Sequence, residues 1–170
     1  MITTEGKSYV SDNILMEEEL LEKVQALQKQ GKKIGLCSGS FDLLHPGHIT
    51  HLLAAKKECD ILVVSVAPDE HNTRSRKQKG RPIFTHGLRA FAISQLKAVD
   101  FVLIHENSQQ VIRILKPDVY IKGIDYNTLS DPVLMLEKEA VESHGGKIVF
   151  TSTNKLATTE IIKYIKEEIS

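Results

Sequence analysis

The chain has 170 residues, the usual size of one domain with its own hydrophobic core. Its 22 basic and 22 acidic side chains give a formal net charge of zero, so no overall field would attract nucleic acid or an anionic membrane. Cys37 and Cys59 lack CxxC spacing and suggest neither a disulfide framework nor a zinc knuckle. No apolar run approaches the roughly 20 residues of a membrane span, and no signal-peptide pattern is present. We expect a cytoplasmic protein with no membrane or nucleic-acid partner.

The chain begins with a segment that predicts a helix ahead of the main domain. We expect a helical extension over residues 1–30 and one compact domain over residues 31–170. Asn13 is suited to cap this helix, Val24 belongs to its apolar stripe, and Gly31 is a typical stop.

The rest of the chain alternates short apolar runs with amphipathic segments. The predicted strands are KKIGLCSG, DILVVSVAPD, VDFVLIHE, DVYIKG and KIVFTS. The predicted helices are HITHLLAAKKE, THGLRAFAISQLKA, SQQVIRILKP, DPVLMLEKEAVESHGG and TTEIIKYIKEEI. Strands that alternate with helices form parallel sheets covered on both faces. The fold class is therefore α/β, a Rossmann-like doubly wound parallel sheet of about five strands.

The stretch CSGSFDLLHPGH follows the first predicted strand, where an open parallel sheet binds its ligands. Gly39 and Gly47 would allow a ligand to approach the backbone, and Pro46 favours a helix start whose N–H groups attract anions. His45 and His48 can donate hydrogen bonds to phosphoryl oxygens, on which charge accumulates in a transition state. The stretch therefore predicts a catalytic phosphate site.

Other interpretations of the histidines and glycines are weaker. A zinc site at His45 and His48, completed by His51 or Cys59, lacks further ligands at metal spacing. The glycines form neither GxGxxG nor GxxxxGK[ST]. Four further histidines are more simply interpreted as surface or satisfied core residues, namely His51, His71, His105 and His144.

The stretch GSFDLLHPGH resembles the HxGH signature of the cytidylyltransferase-like nucleotidyltransferases. These enzymes move a nucleotidyl group from a nucleoside triphosphate to a phosphorylated acceptor. From about Gly31 onward the chain most resembles the heptose-1-phosphate adenylyltransferase branch. The matching segments are GKKIGLCSGSFDLLHPGHI, KGRPI, LKAVDFV, KPDVYIKGIDY, GGKIVF and TTEIIKYI. Glycerol-3-phosphate cytidylyltransferases and archaeal FAD synthetases are also similar.

The resemblance implies that His45 and His48 stabilise the triphosphate during in-line attack on its α-phosphorus. Ser40 and Phe41 would line the same turn through backbone groups. The acceptor's phosphate would attack and pyrophosphate would leave, so no protein nucleophile is needed. Mg²⁺ would neutralise the triphosphate, with ligands that the sequence does not identify, and a homodimer is implied.

The resemblance also assigns basic residues to phosphate binding. A lysine of the polar segment 71–82 would clamp phosphates, and both Lys77 and Lys79 are candidates; a solvated run of charge is the alternative. Arg89 would reach the triphosphate, and its alternative role is that of a surface helix residue.

Two further segments would contact the nucleotide. Lys122, Gly123 and Asp125 in IKGIDY fall where the family binds base and ribose, although Asp125 could instead serve a turn. Thr158 and Thr159 open the last helix and would form a second anion site, or act as caps alone.

The chain departs from the family pattern at four places, one of which is SGSFD where the family has NGCFD. Lys155 and Ala157 replace a glycine and a serine before the last helix, and the segment 83–88 replaces a polar Asn-Pro stretch. Ile124 replaces a glycine and would narrow the base pocket, so that CTP remains open beside ATP.

The sequence therefore predicts a nucleotidyltransferase that transfers AMP to a phosphorylated sugar such as heptose 1-phosphate. One alternative is a cytidylyltransferase acting on glycerol 3-phosphate or another alcohol phosphate. The alternative of another class is a nucleotide-binding protein that has lost turnover.

Overall fold

The computed structural model describes residues 9–70, 81–123, 131–152 and 158–169. The helices are α1 Glu17–Lys29, α2 Pro46–Lys56, α3 His86–Ser94, α4 Ser108–Leu115, α5 Pro132–Glu142 and α6 Thr158–Tyr164, which a π-helical turn, Ile165–Ile169, extends. The strands are β1 Ile34–Gly39, β2 Ile61–Val66, β3 Phe101–Ile104, β4 Val119–Gly123 and β5 Lys147–Thr151. Each predicted strand and helix is present in the predicted order. None of the helices within these ranges is long and apolar enough to cross a membrane.

The five strands form one parallel sheet in the order β3-β2-β1-β4-β5. β1 lies at the centre, and the chain winds outward from it in one direction to β3 and in the other to β5. The strand order therefore reverses between β1 and β4, and at such a switch point the carboxyl ends of the strands open a ligand crevice. The prediction of a doubly wound sheet is confirmed.

Helices cover both faces of this sheet, each over its own apolar cluster. One cluster joins the sheet to α1, α4 and α5 through side chains such as Leu20, Ile112 and Val141. The other joins it to α2 and α3 through Leu52 and Ile93. Burial of these side chains is the main force that holds the layers together.

The N-terminal helix begins later than the sequence predicts. Its N-cap is Met16, without a side-chain cap, so the prediction of Asn13 as the cap is wrong. The Asn13 amide instead donates to the Ser94 carbonyl at 3.1 Å, and Ile14 forms a parallel bridge with Val102 that keeps this segment extended. The helix ends as predicted, with Gly31 at φ +76°. The boundary between an extension and the main domain stays a prediction.

Candidate active site

The turn between β1 and α2 lies at the switch point and has an unusual backbone. Phe41 and Leu43 both adopt left-handed conformations, with φ of 51° and 48°. Such conformations are unfavourable for residues with large side chains, so neighbouring contacts must hold them. A Cβ at Gly39 would lie only 3.2 Å from Cε2 of Phe41. The glycine thus makes room for the Phe41 ring, and the approach of a ligand to Gly39 stays a prediction.

Asp42 holds this turn in place from inside the protein. Its side chain is only 1% exposed. Oδ1 accepts hydrogen bonds from the backbone N–H groups of Leu43 and Phe84, both at 3.1 Å. Oδ2 accepts one from the Ile83 N–H at 2.9 Å and lies 2.8 Å from Nε of Arg81. The carboxylate therefore ties the turn to the segment that leads into α3.

Arg89 in α3 reinforces the same connection. It is 1% exposed, so the alternative of a surface helix residue is wrong. Its guanidinium donates to the carbonyls of Phe84, Ser40 and Ala67, and to Oδ1 of Asp69 at 2.7 Å. Through these contacts the buried Arg89 holds the turn at Ser40 in place. Direct contact between Arg89 and a triphosphate stays a prediction.

His45 is both a site residue and the cap of α2. Its Nδ1 accepts a hydrogen bond from the Gly47 N–H at 3.1 Å. In the neutral ring the proton must then be on Nε2, which is therefore a donor. Burial lowers the pKa of His45 below its usual value, which favours this neutral donor form.

His48 lies one turn further along α2, against His45. The two rings are stacked with centroids 3.8 Å apart, and the Phe41 ring meets His48 edge-on at 5.5 Å. Burial, followed by the neighbouring His45 and His51, lowers the pKa of His48 to about 4. Its buried Nδ1 has no hydrogen-bond partner among the described residues. A buried polar atom without a partner is costly, and a ligand at this site could satisfy it.

The histidines predicted to be structural have protein partners where they are described. Nδ1 of His51 lies 2.7 Å from Oγ1 of Thr151, Nε2 of His105 lies 3.2 Å from Glu17, and Nε2 of His144 lies 3.0 Å from the Pro117 carbonyl. Each has the satisfied environment that the simpler interpretation expects. His71 lies outside the described residues.

Two more predicted residues end β4, beside the turn. Gly123 is the last residue of β4, and the side chain of Lys122 is buried, with Nζ 2.6 Å from Oε2 of Glu137. Lys122 is therefore held by a carboxylate within the protein. Lys77, Lys79 and Asp125 lie outside the described residues, so their assignments stay predictions.

The two predicted threonines differ in position. Thr158 is buried, and its Oγ1 donates to the Asp42 carbonyl at 3.0 Å, which brings the start of α6 to the turn. Thr159 is exposed and makes no such contact. The structure thus brings Gly39, Ser40, Phe41, His45, Gly47, His48, Arg89 and Thr158 together at one turn.

Two buried acidic residues, Asp42 and Glu137, were not singled out from the sequence. Asp42 lies within the stretch GSFDLLHPGH, between Phe41 and the two histidines, and this position could have marked it as part of the turn. Glu137 gave no signal, since an acid within a helix usually faces solvent. No cluster of His, Cys, Asp or Glu side chains in the described ranges could hold a metal ion. The described residues therefore provide no ready-made cage for Mg²⁺.

Comparisons with known proteins agree with this geometry. A family model described as cytidylyltransferase-like matches residues 36–164. Bifunctional protein HldE from Desulfatibacillum aliphaticivorans is 41% identical over 152 residues, which are 88% of this chain and 30% of that protein. Its namesake from Klebsiella pneumoniae is 34% identical over 166 residues, which are 96% of this chain and 34% of that protein. The chain thus spans about a third of the length of these curated relatives.

Solved structures show the same fold. The lipopolysaccharide core biosynthesis protein from Thermoplasma volcanium GSS1 is 33% identical with a TM-score of 0.60, and the match covers 74% of this chain and 100% of that one. Pantoate-beta-alanine ligase from Francisella tularensis has a TM-score of 0.57 at 19% identity, covering 90% and 77% of the two chains. The second likeness concerns the fold alone.

Proposed function

Since this chain belongs to the cytidylyltransferase-like family and is a nucleotidyltransferase, we propose that it transfers AMP from ATP to a phosphorylated sugar such as heptose 1-phosphate. Pyrophosphate is the second product. The observation that carries the proposal is the stacked pair His45 and His48 at the start of α2, beside the switch point. A helix start with two imidazole donors suits an anion whose charge grows during reaction.

The reaction needs little covalent chemistry from the protein. An oxygen of the acceptor's phosphate forms a bond to the α-phosphorus while the bond from that phosphorus to the β-phosphate oxygen breaks. The electron pair leaves with pyrophosphate. The protein's part is to hold the two anions in line and to stabilise charge on the α-phosphoryl oxygens.

The neutral state of the histidines defines how they act in this proposal. With lowered pKa values, His45 and His48 donate hydrogen bonds as neutral rings near pH 7 and do not supply two full positive charges. Positive charge would come from Mg²⁺ bound to the triphosphate and from basic side chains. Mg²⁺ is commonly held by substrate phosphates together with few protein ligands. Its role here stays a prediction.

The sugar acceptor is supported by sequence resemblance and by one similar structure. The branch that the chain resembles acts on heptose 1-phosphate, and the similar structure is that of a lipopolysaccharide core biosynthesis protein. One sequence feature favours a second candidate, cytidylyl transfer to glycerol 3-phosphate or another alcohol phosphate. Ile124 stands where the family has glycine, which would change the base pocket.

The test is pyrophosphate release with Mg²⁺ and each of ATP, CTP, GTP and UTP, against pooled sugar 1-phosphates and pooled polyol phosphates. Release with ATP and sugar 1-phosphates is the expected result. Release with CTP and polyol phosphates would favour the second candidate. Nucleotide binding without any release would favour a binding protein that has lost turnover and would overturn the proposal.

A further inference from the structure

A buried polar cluster lies under the carboxyl edge of the sheet, on the side of α4 and α5. We call it the Glu137 network, and it consists of Ser38, Ser108, Tyr120, Lys122 and Glu137. Glu137 is 2% exposed, and both its oxygens are used. Oε1 accepts from Tyr120 at 2.8 Å and from Ser108 at 2.6 Å, while Oε2 accepts from Lys122 Nζ at 2.6 Å. Side chains of two elements, α4 and β4, thus fix the carboxylate that α5 provides.

We propose that Glu137 is a positioning residue that holds the Lys122 ammonium at the carboxyl end of β4, where that charge attracts the triphosphate. The inference rests on the proposed function. In this proposal Glu137 of α5 does not contact the substrate and acts only through Lys122.

The position of the network supports this role. β1 pairs with β4 in the register Leu36 to Tyr120, and two residues further along these strands come Ser38 and Lys122. Ser38 Oγ lies 2.7 Å from the Tyr120 hydroxyl and immediately precedes Gly39, where β1 ends and the turn begins. The network therefore lies at the switch point that opens the crevice.

The stability of the fold alone does not explain the buried ion pair between Lys122 and Glu137. Burying two charges is costly, and an apolar pair of similar volume is often at least as stable. An ion pair at the ligand-binding edge of the sheet is better explained if one charge serves the ligand. The pKa of His51 in α2 is lowered first by burial and then by the Lys122 charge, so the influence of this charge extends to α2.

The experiment compares Glu137→Gln, Lys122→Met and the double variant carrying both changes. The double variant removes both charges while Gln still accepts from Tyr120 and Ser108. Glu142→Gln is the matched control, since it removes an exposed acid of the same helix whose ion-pair partner, Lys138, is also exposed. Each protein is titrated with ATP and Mg²⁺ by calorimetry, and turnover and thermal unfolding are measured in parallel.

We expect Lys122→Met and Glu137→Gln each to weaken ATP binding by about ten- to a hundredfold, the cost of losing a hydrogen bond to a charged group. In the Lys122→Met background, Glu137→Gln should weaken binding no further, because Glu137 acts through Lys122. Glu142→Gln should keep the ATP affinity and the thermal stability of the wild type.

Two results would overturn the inference alone. One is a double variant that binds ATP and turns over like the wild type. The other, decisive even if the double variant does not fold, is a Glu137→Gln variant that binds ATP as tightly as Glu142→Gln and the wild type do. A wild type that binds no nucleotide would overturn the proposed function as well.

Discussion

The imidazole rings of His45 and His48 stack 3.8 Å apart at the first turn of α2. Two rings this close repel each other when both are charged, and His45 is among the causes that lower the pKa of His48. Burial of both rings, with repulsion from His45 as a second cause at His48, therefore keeps a pair of neutral hydrogen-bond donors side by side. The predictions below follow from this pair and from the residues that hold its turn.

The double role of His45 can be separated by two substitutions. His45→Asn keeps an acceptor for the Gly47 N–H and should leave the free energy of unfolding nearly unchanged, whereas His45→Ala should lose about 1 kcal/mol with the cap. Both should reduce turnover by about a hundredfold because both lack the Nε2 donor. Denaturant unfolding and pyrophosphate release measure the two effects. Full turnover in His45→Asn would mean that His45 is only a cap.

Stability should fall as the pH is lowered. The pKa values of His48 and His51 are about 4 in the folded protein, below their usual 6.5. Between these values the unfolded chain binds more protons, so acid favours unfolding. The slope should approach about 1.4 kcal/mol per pH unit for each extra proton. Urea unfolding between pH 7 and about pH 4 measures it.

The matched control for this pH dependence is His51→Gln, whose amide can still bond to Thr151. It should remove the contribution of His51 and flatten the slope over the same range. An unchanged slope would show that His51 does not titrate with a lowered pKa.

Asp42→Asn should weaken the turn. The carboxylate accepts three backbone N–H groups and faces Arg81, and an amide nitrogen in its place would oppose these donors. We expect a loss of about 3 kcal/mol in the free energy of unfolding and a higher KM for nucleotide.

The control is Asp118→Asn at the opposite edge of the sheet, where Oδ2 accepts the Ile34 N–H at 2.7 Å. It should cost about 1 kcal/mol and leave KM unchanged. Equal KM values in Asp42→Asn and the wild type would disprove a positioning role for Asp42.

Arg89→Lys tests whether this arginine supports the turn. A lysine cannot reproduce the fork that serves Ser40, Ala67 and Asp69, so stability and turnover should fall together, with a loss of about 3 kcal/mol in the free energy of unfolding. Arg113→Lys, on an exposed position of α4, is the control and should change neither quantity. Reduced nucleotide affinity at unchanged stability would instead indicate direct contact between Arg89 and the triphosphate.

Local sequence patterns predicted the strands, the helices and the turn between β1 and α2 that forms the candidate site. Apolar runs such as ILVVSV and the cap-like HPGH turn carry their structural signal within a few neighbouring residues. The prediction of Asn13 as a helix cap was wrong because contacts with distant residues decide its structure. Its amide donates to Ser94, and the neighbouring Ile14 bridges to Val102.

The residues that support the site also depend on distant contacts. Arg89 reaches a carbonyl 49 positions away, and Thr158 bonds to a carbonyl 116 positions away. Glu137 is an acid on a helix, and only the packing of α5 against β4 makes it a buried partner of Lys122. A single sequence does not reveal such pairs.

The most direct test of the central claim is pyrophosphate release by the wild type and by His48→Ala, with Mg²⁺, the preferred triphosphate and its acceptor. The control is His144→Gln, since His144 bonds to the Pro117 carbonyl, away from the turn between β1 and α2. We predict that His48→Ala turns over about a hundredfold more slowly or worse, while His144→Gln matches the wild type. Equal turnover in His48→Ala and the wild type would contradict the account.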